Sequence, residues 1–267
     1  MSRLAKFKQN TYSQNGEDGV IREILKRLGL VVNSDFWCVE FGAWDGIHLS
    51  NTFALVEAHS ATAVMIEGDT DKFRALQQTA ERFPTIIPVE ALVTSNQVSG
   101  DSPVSNAFTG SFDPHKAATL DKILTKTSCP SDYDLLSIDI DTQDLEVWYA
   151  HNAFKPKIVV IEINSSLHPG ILQWHGGGLV GNSFSSTVEV ANLKGYTLVC
   201  HTGNAVFVRD DLVNLLGLDE LDIRFPERLF FKGWLPQYWS LSSNLSKQPI
   251  LRLLQKAIRK GLGLSGY

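Results

Sequence analysis

Short apolar runs alternate with amphipathic stretches along most of this 267-residue chain. Val20, Ile21, Ile24, Leu25 and Leu28 recur at helical spacing, and Gly29 follows where a left-handed residue would stop the helix. Apolar segments predict strands over 36–41, 61–66, 85–93, 134–140 and 157–163, the last continuous enough to be buried on both faces. Between them the pattern predicts helices over 49–59, 71–82, 117–126 and 145–152, with Thr70 or Asp69 as N-cap of the second. A helix over 186–193 leads to runs at 196–201 and 205–208 joined by Gly203-Asn204, the signature of an antiparallel hairpin. Polar stretches over 94–114 and 164–182 read as long loops.

Alternating β and α units followed by a hairpin predict an α/β fold: a Rossmann-like, doubly wound sheet, mostly parallel with an antiparallel C-terminal hairpin. The expected organisation is an N-terminal helical segment over 1–30, a cofactor-binding domain over 31–212 and an extension over 213–267.

The first strand runs into Val39-Glu-Phe-Gly-Ala-Trp-Asp-Gly46, a glycine-bearing turn before a helix, and the second ends on Glu67. Such a turn lets a ligand approach the backbone through Gly42, Ala43 and Gly46, and a strand-tip carboxylate at Glu67 accepts both hydroxyls of a ribose. Glu40 is placed to accept from an ammonium group, with Asp45 and Asn51 as neighbours. Gly-x-Gly-x-x-Gly is missing and the chain closes on a hairpin, which favours S-adenosylmethionine over a dinucleotide. For each residue the plain alternative is a tight turn, a cap or a solvated strand end.

Four pieces in order, Tyr12-Ser-Gln-Asn-Gly-Glu-Asp-Gly19, Val39–Gly46, Met65-Ile-Glu67 and Thr119-Leu-Asp121 ahead of Asp134-Leu-Leu-Ser-Ile-Asp-Ile-Asp141, carry a resemblance. The chain resembles the FkbM-type S-adenosylmethionine-dependent O-methyltransferases over roughly residues 11–210. The resemblance implies the class I methyltransferase plan, S-adenosyl-L-methionine as cofactor, and a hydroxyl of a sugar, glycan or related natural product as acceptor. It also implies that the segment around Gln14 folds over the pocket, although Ser13, Asn15 and Asp18 would serve equally as helix caps. Two departures are Ile140-Asp141-Thr142-Gln143-Asp144, where many relatives have Glu-Gly, and Gly68, where a proline is common.

Asp139 and Asp141 are two apart on one strand, so they share a face, and Glu162 and Asn164 repeat that spacing on the next. Asp144 follows one turn into the helix. Converging carboxylates raise one another's pKa unless something positive intervenes. One arrangement makes an acid such as Asp139 or Asp141 a proton acceptor. Another places Mg²⁺ or another divalent cation among Asp139, Asp141, Glu162 and Asn164. In the third they are structural caps and pairs. His168 and His175, in the loop after the fifth strand, are the alternative bases for a hydroxyl proton. His48 is a weaker candidate, and Trp44 and Trp174 offer aromatic faces to a sugar.

Net charge is −5, which disfavours nonspecific nucleic-acid binding by the body of the chain. After Glu227 there are no acids, while Lys232, Lys247, Arg252, Lys256, Arg259 and Lys260 make the tail basic. Ile250, Leu251, Leu254, Ala257, Ile258 and Leu262 trace one helical face, so 247–262 suits either peripheral contact with an anionic membrane or packing on the domain or a second subunit of a homo-oligomer. Three widely spaced cysteines read as buried thiols, and the absence of a secretory pattern points to the cytoplasm, with the inner membrane face as the alternative address. Two other functions remain open: a nicotinamide-dependent oxidoreductase, and a non-catalytic membrane-associated binding protein.

Overall fold

The computed structural model describes residues 3–95, 113–140, 143–174 and 181–231. Helix α1 (Glu17–Leu28) buries Val20, Ile21, Ile24 and Leu25 and ends at Gly29, whose φ of 67° lets the Leu30 N–H return to the Leu25 carbonyl. The chain then alternates as expected: β1 (Trp37–Phe41), α2 (Phe53–His59), β2 (Thr62–Glu67), α3 (Thr70–Arg82) and β3 (Ile86–Glu90). Asp69 is the N-cap of α3, accepting from the N–H groups of Asp71 and Lys72.

The predicted third strand does not run through to Val93. Ala91 N–H turns to the Glu67 carbonyl, and β4 (Leu92–Val93) leaves to pair in parallel with β5 (Ala117–Ala118) in a separate two-stranded sheet. For the same reason the helix expected over 117–126 is only α4 (Leu120–Leu124), capped by Thr119. Next come β6 (Leu135–Ile138), α5 (Asp144–Ala150), β7 (Ile158–Glu162), α6 (Phe184–Lys194), β8 (Tyr196–His201), β9 (Asn204–Arg209), α7 (Asp210–Val213) and α8 (Glu220–Arg224).

The main sheet has the order β3-β2-β1-β6-β7-β9-β8. Pairings from β3 through β7 are parallel, while β9 runs antiparallel to β7 and to β8. This is the class I methyltransferase plan predicted from the alternation and the closing hairpin. Strand residues alternate between two buried layers. Cys38, Ala63, Met65, Leu135, Ile158 and Val160 join α1, α2 and α3 in one core. Val39, Phe41, Leu136, Ile138, Val159 and Ile161 are buried on the opposite face, where Trp148 of α5 meets Phe207 at 5.2 Å between ring centroids. The strand order reverses between β1 and β6, which opens a crevice at their carboxyl ends.

The chain divides into two compact units, Met1–Phe230 and Phe231–Tyr267. The basic stretch 247–262 lies outside the described residues. Among the described residues no helix is long and apolar enough to cross a membrane.

Candidate functional site

The crevice is built from the loop that leaves β1. Gly42 has φ 75°, and a Cβ there would stand 1.9 Å from the backbone oxygen of Asp139 at the tip of β6. A Cβ at Gly46, φ 80°, would meet Leu76 at 2.8 Å and Met65 Sδ at 3.0 Å. Both glycines therefore make room for protein. They press the loop onto β6 and α3, where the spacing alone had suggested room for a ligand. Trp44 and Leu49 also take left-handed backbone, φ 50° and 58°, a conformation costly for non-glycine residues and held here by the surrounding contacts. Asp45 caps the loop by accepting from the N–H groups of Ile47 and His48.

That loop reaches across to β2. Ala43 N–H donates to the Ile66 carbonyl at 3.1 Å, and Trp44 N–H donates to Glu67 Oε2 at 2.8 Å. Asp69 N–H donates to the other Glu67 oxygen at 2.8 Å. Burial pushes the Glu67 carboxyl above the usual range, and these N–H groups together with Lys72 pull the other way. Lys72 Nζ also lies 4.4 Å from the centroid of Trp44, whose half-exposed ring meets His48 edge-on. Lys72 was not among the residues singled out in the sequence; its only cue is its place one turn past Glu67.

Glu40, the predicted ammonium acceptor, is held by the protein's own donors. Its carboxylate accepts from Ser50 Oγ (2.6 Å), Thr52 Oγ1 (2.5 Å) and Asn51 N–H (2.9 Å). Burial raises its pKa, and these donors partly offset the rise. The result delays α2 to Phe53, four residues after the predicted start at 49. Asn51 donates to Ser137 Oγ at 3.1 Å and lines a groove between α1 and α2.

The predicted acid cluster is only partly assembled among the described residues. Asp139 is half-buried at the β6 tip beside the loop. Asp144 is buried and accepts from Ile140 N–H at 2.8 Å, so it closes the turn into α5. Glu162 is half-buried at the end of β7, and the oxygen of Asn164 accepts from both the N–H and the hydroxyl of Ser166. Asp141 and His175 lie outside the described residues. No three His, Cys, Asp or Glu side chains among the described residues come together as a metal site. With Asn164 turned to Ser166, the described members of the proposed set do not fit a cation. His168 is exposed on the loop after β7. Trp174 pairs edge-on with Tyr149.

The N-terminal motif is a brace. Asp18 Oδ2 accepts from the N–H groups of Thr11, Tyr12 and Ser13 and from the Ser13 hydroxyl, at 2.7–2.8 Å. Glu17, fully buried, accepts from Asn15 N–H and from Thr202 Oγ1 at 2.5 Å, which ties the segment to the β8–β9 turn. Gln14 is exposed, and its backbone carbonyl accepts from the Asn10 side chain. Thr202 was not predicted, because only the tertiary fold brings it to Glu17.

Several solved structures are similar to this chain. One is M. capricolum TrmK in complex with S-adenosyl-homocysteine, at TM-score 0.42 and 13% identity, covering 89% of this chain and 93% of that one. A second is precorrin-6y C5,15-methyltransferase from Geobacter metallireducens, at TM-score 0.41 and 12% identity, covering 75% and 90%. A third is the mitomycin 7-O-methyltransferase MmcR, at TM-score 0.39 and 11% identity, covering 72% and 55%. Likeness at this level says nothing about this chain's substrate. No family model matches the sequence, and no curated protein matches it.

Proposed function

We propose that this chain is an S-adenosylmethionine-dependent O-methyltransferase of FkbM type, acting on a hydroxyl of a sugar, glycan or related natural product. The observation that carries the reading is the bond from Trp44 N–H to Glu67. It sets the glycine-bearing loop of β1 beside the strand-tip carboxylate of β2, at the carboxyl ends of a sheet with methyltransferase topology.

The residues fit an adenosine-bearing ligand. Glu67 is held by backbone donors, so its remaining lone pairs have a fixed direction for a ribose diol. When bound, S-adenosylmethionine supplies a methyl group already made electrophilic by its sulfonium. The chain's own task is to align a hydroxyl with that methyl group and to take up the hydroxyl proton as the O–C bond forms and the C–S bond breaks. We assign that proton to Asp139, whose backbone lies beside Gly42 at the β6 tip, with His168 the second candidate on the loop after β7. Asp141 and His175 are assigned to the same task from sequence alone.

Calorimetric titration with S-adenosylhomocysteine and with NAD tests this reading. Saturable binding of the first, together with transfer of labelled methyl to fractionated glycans, is the expected result. Binding of NAD alone would overturn it in favour of an oxidoreductase.

A further inference from the structure

Four contacts close a circuit around Glu67. Trp44 N–H donates to one carboxylate oxygen and Asp69 N–H to the other. Asp69 Oδ1 in turn accepts from the Lys72 N–H at 3.0 Å, as N-cap of α3. The Lys72 ammonium then returns to Trp44, 4.4 Å from its ring centroid. The left-handed backbone of Trp44, φ 50°, lets one residue serve both neighbours, its N–H at Glu67 and its indole face at Lys72. The face that Lys72 covers is thus taken by a cation and is not open to a sugar.

Lys72 also stands apart among the charges on the elements packed around Glu67. Glu40 of β1 is held by neutral donors, and on the loop Asp45 accepts from backbone N–H groups while His48 meets the edge of the Trp44 ring. Glu90, opposite Glu67 on β3, pairs with Lys116, and on α3 Arg74 pairs with Asp71. Asp139 lies at the β6 tip, against which Gly42 packs. Lys72 is half-buried, and no carboxylate of the described residues comes within ion-pair distance of it. Burial raises the Glu67 pKa, and after the N–H groups of Asp69 and Trp44 it is Lys72 that opposes the rise.

We propose that Lys72 is a positioning residue for the cofactor: seated on the face of Trp44, it supplies the positive charge that keeps Glu67 an acceptor for both hydroxyls of the ribose. An ionised carboxylate accepts two O–H groups at once, whereas a protonated acid must itself donate one. A carboxylate partner would cancel the field of the ammonium. The indole fixes its place and leaves its charge intact. This role rests on the proposed adenosine site at Glu67 and adds to it the pair of residues that maintain its charge.

The test reads Glu67 directly in the ligand-free full chain. Carbon-13 NMR follows the side-chain carboxyl between about pH 4 and 8, with Glu67→Gln identifying the resonance. Lys72→Met keeps an apolar stem over Trp44 and removes the charge, so the Glu67 midpoint should rise by about half a pH unit or more. Lys72→Arg, which also stacks on indole, should return the midpoint to the wild-type value. Trp44→Leu removes the seat and should produce part of the Lys72→Met rise. Calorimetry with S-adenosylhomocysteine adds the functional readout. Protonation of Glu67 removes an acceptor, so affinity falls as pH falls, and in Lys72→Met that fall should begin at a higher pH. An unmoved midpoint in Lys72→Met, no recovery in Lys72→Arg, or an affinity loss as large at pH 8 as at pH 5 would each overturn the proposal. The two failures are distinct. A wild-type chain that binds no S-adenosylhomocysteine overturns the cofactor reading and this role with it, whereas wild-type binding with an unmoved midpoint overturns the role of Lys72 alone.

Discussion

The backbone N–H of Trp44 donates to the carboxylate of Glu67 across 2.8 Å, joining two segments 23 residues apart in sequence. Because Asp69 N–H holds the other oxygen, the carboxylate cannot rotate to serve a ligand without losing a protein bond. It is therefore pre-set rather than adaptable, which is what a diol-binding acid needs.

Glu67→Gln should separate shape from chemistry. The amide nitrogen must face either Trp44 N–H or Asp69 N–H, donor against donor, at a cost of about 1–3 kcal/mol. Urea unfolding should show that loss, and calorimetry should show S-adenosylhomocysteine binding weakened at least about tenfold, equivalent to ~1.4 kcal/mol. Unchanged affinity in a folded variant would remove Glu67 from the site.

Gly42 and Gly29 make a matched pair, both left-handed, φ 75° and 67°, yet only the first has a neighbour in the Cβ direction. Gly29→Ala should cost about 1–2 kcal/mol for the backbone alone. Gly42→Ala adds the collision with the Asp139 oxygen and should cost roughly 2–5 kcal/mol. Equal costs in denaturant titrations would mean that the loop and the β6 tip yield easily.

Thr202→Val removes the hydroxyl that donates to fully buried Glu17. A loss of about 1–3 kcal/mol is expected. In a double-mutant cycle with Glu17→Gln, coupling of at least ~0.5 kcal/mol should appear, and additive losses would dissolve the brace between α1 and the hairpin.

His201 is buried against Ser165, 2.8 Å away, with the Phe230 ring stacked on it. Burial depresses its pKa from 6.5 to about 3. The unfolded chain thus binds a proton that the folded chain refuses between those values. Stability is full above about pH 6.5 and declines as pH falls toward 3, by at most ~1.4 kcal/mol per unit. Urea midpoints between pH 7 and 4.5 should fall accordingly, and less steeply for His201→Gln. Equal slopes for the two proteins would assign the acid sensitivity elsewhere.

Much of the framework was legible because it depends on local pattern. Val20, Ile21, Ile24 and Leu25 could bury only one helical face, Gly29 could end it, and the strand runs from 36 to 163 alternated with helices in a way that dictates a parallel sheet. The closing hairpin followed from Gly203-Asn204. Sequence alone also put Gly42 and Glu67 at neighbouring strand tips, because strand-tip position is a property of the alternation. What it could not supply was what each side chain faces. Gly42 gives way to Asp139, Glu40 holds the Ser50–Thr52 turn, Asp144 closes the turn at Ile140, and Glu17 meets Thr202 from the far end of the chain. Spacing assigns a residue to a face, but buried polar groups take whichever partner the packed fold delivers, since an unmet hydrogen bond costs more than any local preference.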